Sequence, residues 1–508
     1  MRKHSKKAIF EIFQTLFEAH IKISQIIDRK GASAAADLLS DCCEAAHQVA
    51  DFIENSEGSG HTTAVLLREY CNVISDISAK SSGDRHGNAV KRMLDKPLER
   101  AVSSAESDIV ISLEVVFCPY KASMWDSLES IWKACVNDKS CDAYVVPLPY
   151  YNRKPDYSFG DMHYEGDLLP EYVPVIHYDE YDFEERRPDI VFIHNPYDDG
   201  NFVTSIDPGF YSGELKKHTD LLVYVPYFLF PKQPEEHLIN NPVLDNADCI
   251  IVQNEPTRAA YIKALDKRDK NRQLKEHILV LGSPKTDKIH DICLNGIEIP
   301  EQWKIQAKGK IRLFLNTNVS LILNNNDRFI ENLSRAFKIF LRRGDVFVIW
   351  REHPLTFETL NSMRPGLLEA YNKLRSIFLR SGLGVLDANA EAYQAISFSD
   401  CYFGAGGSLT PIYAATGKPM MVTAYKYPDN ISPVSAPLNS LLKQVDRSMY
   451  FSERYANFLD LFLDNLELLN GFKDKRFEFL SQITVNCDGT VGQKIMEQVR
   501  SLLPEKRS

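Results

Sequence analysis

From Asp108 onward the chain is written as short, nearly unbroken apolar runs separated by stretches with helical spacing. A run without polar alternation suits a strand covered on both faces, which requires helices on either side of a parallel sheet. Runs at 109–117, 143–147, 190–194, 221–225, 249–253 and 278–281 form a first set. Runs at 311–316, 346–351, 384–386, 400–403 and 419–422 form a second, with helical patterns at 327–341, 363–381 and 410–416 between them. The sets divide near residues 300–308. The expected fold class is therefore α/β, with two Rossmann-like domains facing a cleft and ligands bound at the loops that follow the strands.

Before residue 106 the texture differs. Ile9, Phe10, Phe13, Leu16, Phe17, Ile23, Ile26 and Ile27 recur at helical spacing, and similar patterns cover 34–53, 62–77 and 89–105. The expected organisation is a helical module over 1–106, Rossmann-like domains over 107–299 and 300–449, and C-terminal helices over 450–508. The simplest role for the module is protein–protein docking or oligomerisation. Segment 9–27 carries Glu11, Gln14, Glu18, His20 and Lys22, so it reads neither as a signal core nor as a membrane span. With a net charge of -10, bulk electrostatics give no attraction to nucleic acid, and any anionic ligand needs local positive groups. Ten cysteines lack any CxxC pair, and Cys42 and Cys43 are adjacent, so reduced thiols in a cytoplasmic protein are expected, with no metal. The oxygen and nitrogen donors of His177, Asp179, Glu180 and Asp182 suit a divalent ion, but such acidic loops usually face water.

Three loops carry candidate chemistry. The run 346–350 exits into Arg351-Glu352-His353-Pro354, an arginine fork and a titratable ring at the cleft. The fork suits phosphate, and the alternative is an arginine paired with a carboxylate at the edge of the core. The run 400–403 exits into Gly404-Ala405-Gly406-Gly407-Ser408 and then a helix, an arrangement whose bare amides approach phosphate or simply allow tight packing. The run 278–281 exits into Gly282-Ser283-Pro284-Lys285-Thr286-Asp287, where Lys285 and Asp287 are expected to face the cleft.

In this order the motifs resemble the CDP-glycerol glycerophosphotransferase family, makers of teichoic-acid-type polyol phosphate polymers. The family's Gly-x-Pro-Arg-x-Asp turn corresponds to 282–287, its Arg-x-His-Pro exit to 351–354, its Ser/Thr-Asp-Tyr-Ser-Ser loop to 402–408, and its Lys/Arg-Pro pair to Lys418-Pro419. The likeness spans roughly 189–422. It implies a GT-B fold, no cofactor, and a nucleotide-activated donor, CDP-glycerol, held by Gly404, Gly406, Gly407, Ser408, Lys285 and Asp287 with Arg351 and His353 at the reacting phosphates. It also implies a glycan or polyol phosphate acceptor, with peripheral contact at the inner face of the membrane.

Two departures stand out. The loop 403–408 lacks the family's acidic residue and one serine, and the family's Trp-His-Gly-Thr segment corresponds to 222–228, which holds no histidine. Either the base has moved or the activity differs. His194, leaving the run 190–193 with Asp198 and Asp199 nearby, is the replacement candidate, and the alternative is a histidine that caps the strand. The aromatic, polar stretch around Tyr150, Tyr151, His163 and Tyr197 suits a polyol or sugar acceptor. A nucleotide-sugar glycosyltransferase and a non-catalytic scaffold for envelope assembly are the rival functions.

Overall fold

A computed structural model describes residues 1–79, 86–154, 156–230, 234, 236–268, 272–319, 322–323, 327–389, 391–423 and 454–503. Parts of the expected domains at 424–453 and 504–508 lie outside the described residues. The chain divides into two compact units, residues 1–114 with 138–142, and the remainder.

The first unit is built on helices α1 (Lys3–Lys30), α2 (Ala36–Glu57), α3 (Thr62–Ala79) and α4 (Gly87–Asp108). Their apolar stripes meet in one core that includes Phe13, Ile23, Ile53, Leu67, Ile74, Leu94 and Leu98. A buried polar pin crosses that core. His20 places Nδ1 at 2.9 Å from Asp95 Oδ1 and Nε2 at 2.7 Å from the Tyr70 hydroxyl, and burial lowers its pKa. No described helix is long and apolar enough to cross a membrane.

The second unit is mixed α/β with two parallel sheets. The first has the order β2-β1-β5-β7-β8-β9, from β1 (Leu113–Cys118), β2 (Cys141–Val145), β5 (Ile190–Ile193), β7 (Leu221–Tyr224), β8 (Cys249–Val252) and β9 (Ile278–Val280). Residues 109–112 of the expected first run precede the strand, and Ile109 packs into the helical core instead. The second sheet has the order β12-β11-β10-β13-β14, from β10 (Ile311–Thr317), β11 (Val346–Glu352), β12 (Gly384–Leu386), β13 (Cys401–Ala405) and β14 (Met420–Thr423). Every recorded pairing in the second sheet is parallel. In the second sheet, packing on both faces explains the unbroken apolar runs.

The order of the second sheet has a direct consequence. The chain adds β11 and β12 on one side of β10, then crosses to lay β13 and β14 on the other. That reversal opens a crevice beyond the carboxyl ends of β10 and β13, where ligands of doubly wound sheets bind. A small antiparallel sheet, β4-β3-β6, was not foreseen; it comprises β3 (Tyr150–Arg153), β4 (Phe159–His163) and β6 (Thr204–Ile206).

The last described helix, Val491–Ser501, returns to the first sheet and packs on the helix Glu129–Val136. A Cβ at Gly492 would lie 2.3 Å from the Ser130 backbone, so the close crossing requires glycine there. The return is stitched by side chains beyond β8, with Gln253 Nε2 donating to Ile483 O at 2.7 Å and Asn254 Nδ2 at 2.8 Å.

Candidate functional site

The carboxyl rim of the second sheet carries Arg351, His353 and the 404–408 loop. Arg351, near the end of β11, directs Nη1 at Asp387 Oδ2 (2.7 Å) and at Asn389 O (3.1 Å). Asp387 follows β12 and its side chain is fully buried. The guanidinium thus braces the loop after β12, the carboxylate-paired alternative that the sequence left open. His353 Nδ1 accepts the Leu355 N–H at 3.1 Å, which leaves the proton of the neutral ring on Nε2. Burial, reinforced by Arg351, lowers its pKa and keeps that ring uncharged.

The glycine loop divides into two parts. Gly404 lies inside β13 with φ 141°, and a Cβ there would approach Asn316 O to 2.1 Å. Its glycine is explained by the neighbouring strand and not by a ligand, which corrects its assignment to phosphate. Gly406 and Ser408 are exposed at the crevice, whereas the Gly407 N–H is taken by Thr410 Oγ1 at 3.0 Å. Asn318, beyond β10, donates to Gly406 O at 3.1 Å and closes the other wall.

Lys285 and Asp287 occupy structural positions. The Asp287 carboxylate accepts from Val491 N (3.2 Å) and Gly492 N (2.8 Å), capping the returning helix, so its oxygens are not offered to a donor. Lys285 is buried against Asp126, whose other oxygen accepts the Tyr393 hydroxyl. Lys418 of the Lys-Pro pair is a further anchor. Its ammonium donates to Ile396 O, Ser397 O and Ser399 O at 2.9, 2.7 and 2.7 Å, and burial lowers its pKa to about 8. Lys418→Met should therefore lower stability by roughly 3 kcal/mol, through carbonyls left without a donor, which thermal denaturation would measure.

His194 is not presented to the rim. Fully buried, it accepts the Tyr120 N–H at Nε2 (3.0 Å) and meets Ser127 Oγ at Nδ1 (3.0 Å). Burial, then Lys285, pushes its pKa down to about 3. Both nitrogens are committed, and Asp198 is bound to Ser212 at 2.6 Å instead of orienting the ring, so the assignment of His194 as a base is corrected. The acceptor residues also separate. Tyr150 and Tyr151 are successive on β3 and face opposite sides. Tyr150 stacks on His163 and donates to Glu165 Oε1 at 2.6 Å, while Tyr151 stacks on Phe159 and donates to Asp207 Oδ2 at 3.0 Å. His163 Nε2 lies 2.7 Å from Asn152 Nδ2, and the half-buried Tyr197 interacts with Tyr227. These four do not line one acceptor pocket.

A cluster that sequence reasoning missed lies beside the rim. A cavity of about 260 Å³ is lined by residues that include Ala122, Leu168, Pro170, Asn389, Glu391 and Tyr393. Glu391 has an Oε1 atom shielded from solvent and without a hydrogen-bond partner. Burial, with Asp126 and Glu129 opposing its charge and Lys288 and Lys285 favouring it, raises its pKa to about 7. Glu129 itself is held by Lys133 (2.8 Å), Lys288 (2.7 Å) and Tyr172 (2.5 Å). A carboxyl poised near neutrality in a cavity can accept or donate a proton, which is the property a general base or acid needs.

No family model and no curated protein matches the chain. Solved structures similar to it include a Listeria monocytogenes protein described as a UDP-N-acetylglucosamine 2-epimerase, at 13% identity over 77% of this chain and 96% of that one, with TM-score 0.48. An S. aureus MnaA–UDP co-structure is similar at 12% identity over 78% and 99%, with TM-score 0.46. A variant of the wall teichoic acid polymerase TagF is similar at 13% identity over 86% and 98%, with TM-score 0.45.

Proposed function

We propose that the chain is a transferase that takes a nucleotide-activated donor at the carboxyl rim of the second sheet. The observation that supports this reading is the exposure of Gly406 and Ser408 at the crevice where the strand order reverses. The donor we propose is CDP-glycerol, and the acceptor a hydroxyl of a glycan or polyol phosphate. In the reaction, the acceptor oxygen attacks the β-phosphorus, the bond from that phosphorus to the bridging oxygen breaks, and CMP leaves. Loop amides and the His353 Nε2–H would stabilise the charge that gathers on the phosphates. Glu391, in its ionised form, would take the proton of the acceptor hydroxyl.

The test is thermal stabilisation of the full chain by CDP-glycerol, CMP and UDP-N-acetylglucosamine, followed by a transfer assay. At a hundredfold excess over Kd a true donor adds about 2.7 kcal/mol to stability. A shift with the UDP-sugar alone would replace the CDP-glycerol assignment by a nucleotide-sugar glycosyltransferase. Arg351→Ala, by releasing the loop after β12, should lower transfer at least ~100-fold, and near-normal turnover would sink the assignment. A second reading, a nucleotide-binding protein without transfer activity, is favoured by the locked ring of His194. Binding with no release of CMP would support that reading.

A further inference from the structure

Outside the α/β unit, the helical module brings together three side chains from two helices. Cys43 and His47 are one turn apart on α2, and Cys71 faces them from α3. His47 Nδ1 lies 3.5 Å from Cys43 Sγ and 3.3 Å from Cys71 Sγ, and all three donor atoms fall within 4.8 Å of one another. It is the one such group of histidine, cysteine or carboxylate donors among the described residues.

These separations match a coordination polyhedron. A tetrahedral zinc ion with Zn–S near 2.3 Å and Zn–N near 2.0–2.1 Å sets S···N edges of about 3.6 Å and S···S edges of about 3.8 Å. The observed S···N distances are within about 0.3 Å of that edge, so an ion could enter with side-chain torsions alone. Exposure also fits, because Cys71 is buried, Cys43 half-buried and His47 exposed, which leaves a route from solvent. At present His47 Nδ1 lies 2.9 Å from Cys43 O, the ordinary contact of a helical histidine with the preceding turn, and that contact would be exchanged for the metal.

We propose that Cys43, His47 and Cys71 form a binding site for a thiophilic divalent cation of the zinc class, with a fourth position open to water or to an external ligand. Two thiolates and one imidazole select such an ion over magnesium or calcium, whose ligands are oxygens. On binding, the two thiols release their protons to solvent and no electron transfer occurs. The ion would join α2 to α3, next to the Arg68 pairs with Asp51 (2.9 Å) and Glu54 (2.5 Å) that already link these helices.

Cobalt(II) serves as the probe, added to the full, thiol-reduced chain. One equivalent should produce thiolate-to-cobalt charge transfer and the strong visible bands of tetrahedral cobalt, and one equivalent of zinc should erase both. His47→Ala, on an exposed surface where folding is not at risk, should weaken binding by at least ~10-fold, and Cys43→Ser should remove roughly half of the charge-transfer intensity. Cys293→Ser, at an exposed thiol elsewhere, should change neither. Absence of the bands in the reduced wild-type chain, or their persistence in a Cys43→Ser, His47→Ala, Cys71→Ser triple variant of unchanged helicity, would overturn the proposal. A Cys43–Cys71 disulfide that survives the reductant would overturn it as well.

Discussion

Asp126→Ala should be among the most destabilising substitutions in this chain, at about 3–5 kcal/mol. Asp126 is 4% exposed and accepts from both Lys285 and the Tyr393 hydroxyl. Truncation strands a lysine ammonium that is itself 7% exposed and leaves a buried hydroxyl without its acceptor. Removing one member of a buried pair costs far more than removing both, because the cost lies in the charge left behind. Asp126→Leu combined with Lys285→Met should therefore recover most of the loss. Thermal denaturation of Asp126→Leu, Lys285→Met and the double variant measures the coupling. A drop of less than 1 kcal/mol for Asp126→Ala would show that water reaches Lys285 and that the cluster is not closed.

The second large effect concerns Glu391. Glu391→Gln should lower phosphoryl transfer by 10²–10⁴-fold, the usual contribution of a positioned base. The wild type should gain activity as pH rises through about 7, when the carboxyl ionises, and the variant should lose that limb of its profile. Stability should run the opposite way. The folded pKa stands above the ordinary 4.5, so the protonated carboxyl is the one the fold prefers. That contribution is fully present below about pH 4.5 and is lost as pH rises through about 7, by roughly 3 kcal/mol in all. The Gln variant should therefore be flat across this window while the wild type declines. A rate and a pH profile unchanged by the substitution would exclude Glu391 as the base and leave only its structural effect.

Much of the fold was legible in the sequence because burial on both faces writes an unmistakable pattern. The strands Ile190–Ile193 and Val346–Glu352 lie within one residue of their apolar runs. The small antiparallel sheet escaped notice because Tyr150–Arg153 is two tyrosines followed by Asn152 and Arg153, a short half-exposed segment with no apolar/polar alternation beside prolines, and such segments resemble loops. The site was less legible. Arg351 and His353 stand at the end of β11, as the sequence implied, because a strand exit is a local signal. Asp126 meets Tyr393 across 267 residues of sequence, and no local rule anticipates such a meeting. His194 and Asp287 were misread for a related reason. Residue type and strand position are visible in the sequence, but whether a hydrogen-bonding group is already engaged depends on distant backbone amides. In the same way the i, i+4 pair Cys43 and His47 stood in plain view, while the placement of Cys71 beside it is a product of helix packing.

The returning C-terminal helix imposes an order on synthesis. Gln253 waits for Ile483, 230 residues downstream, before its amide is satisfied. At translation rates near 5–20 residues per second, that interval is roughly 10–50 seconds. Throughout it, the surface of Glu129–Val136 that the helix Val491–Ser501 will cover lacks that cover. A nascent chain therefore carries a sticky, half-dressed first sheet long after that sheet has left the ribosome, and chaperone dependence should end only when the last helix emerges.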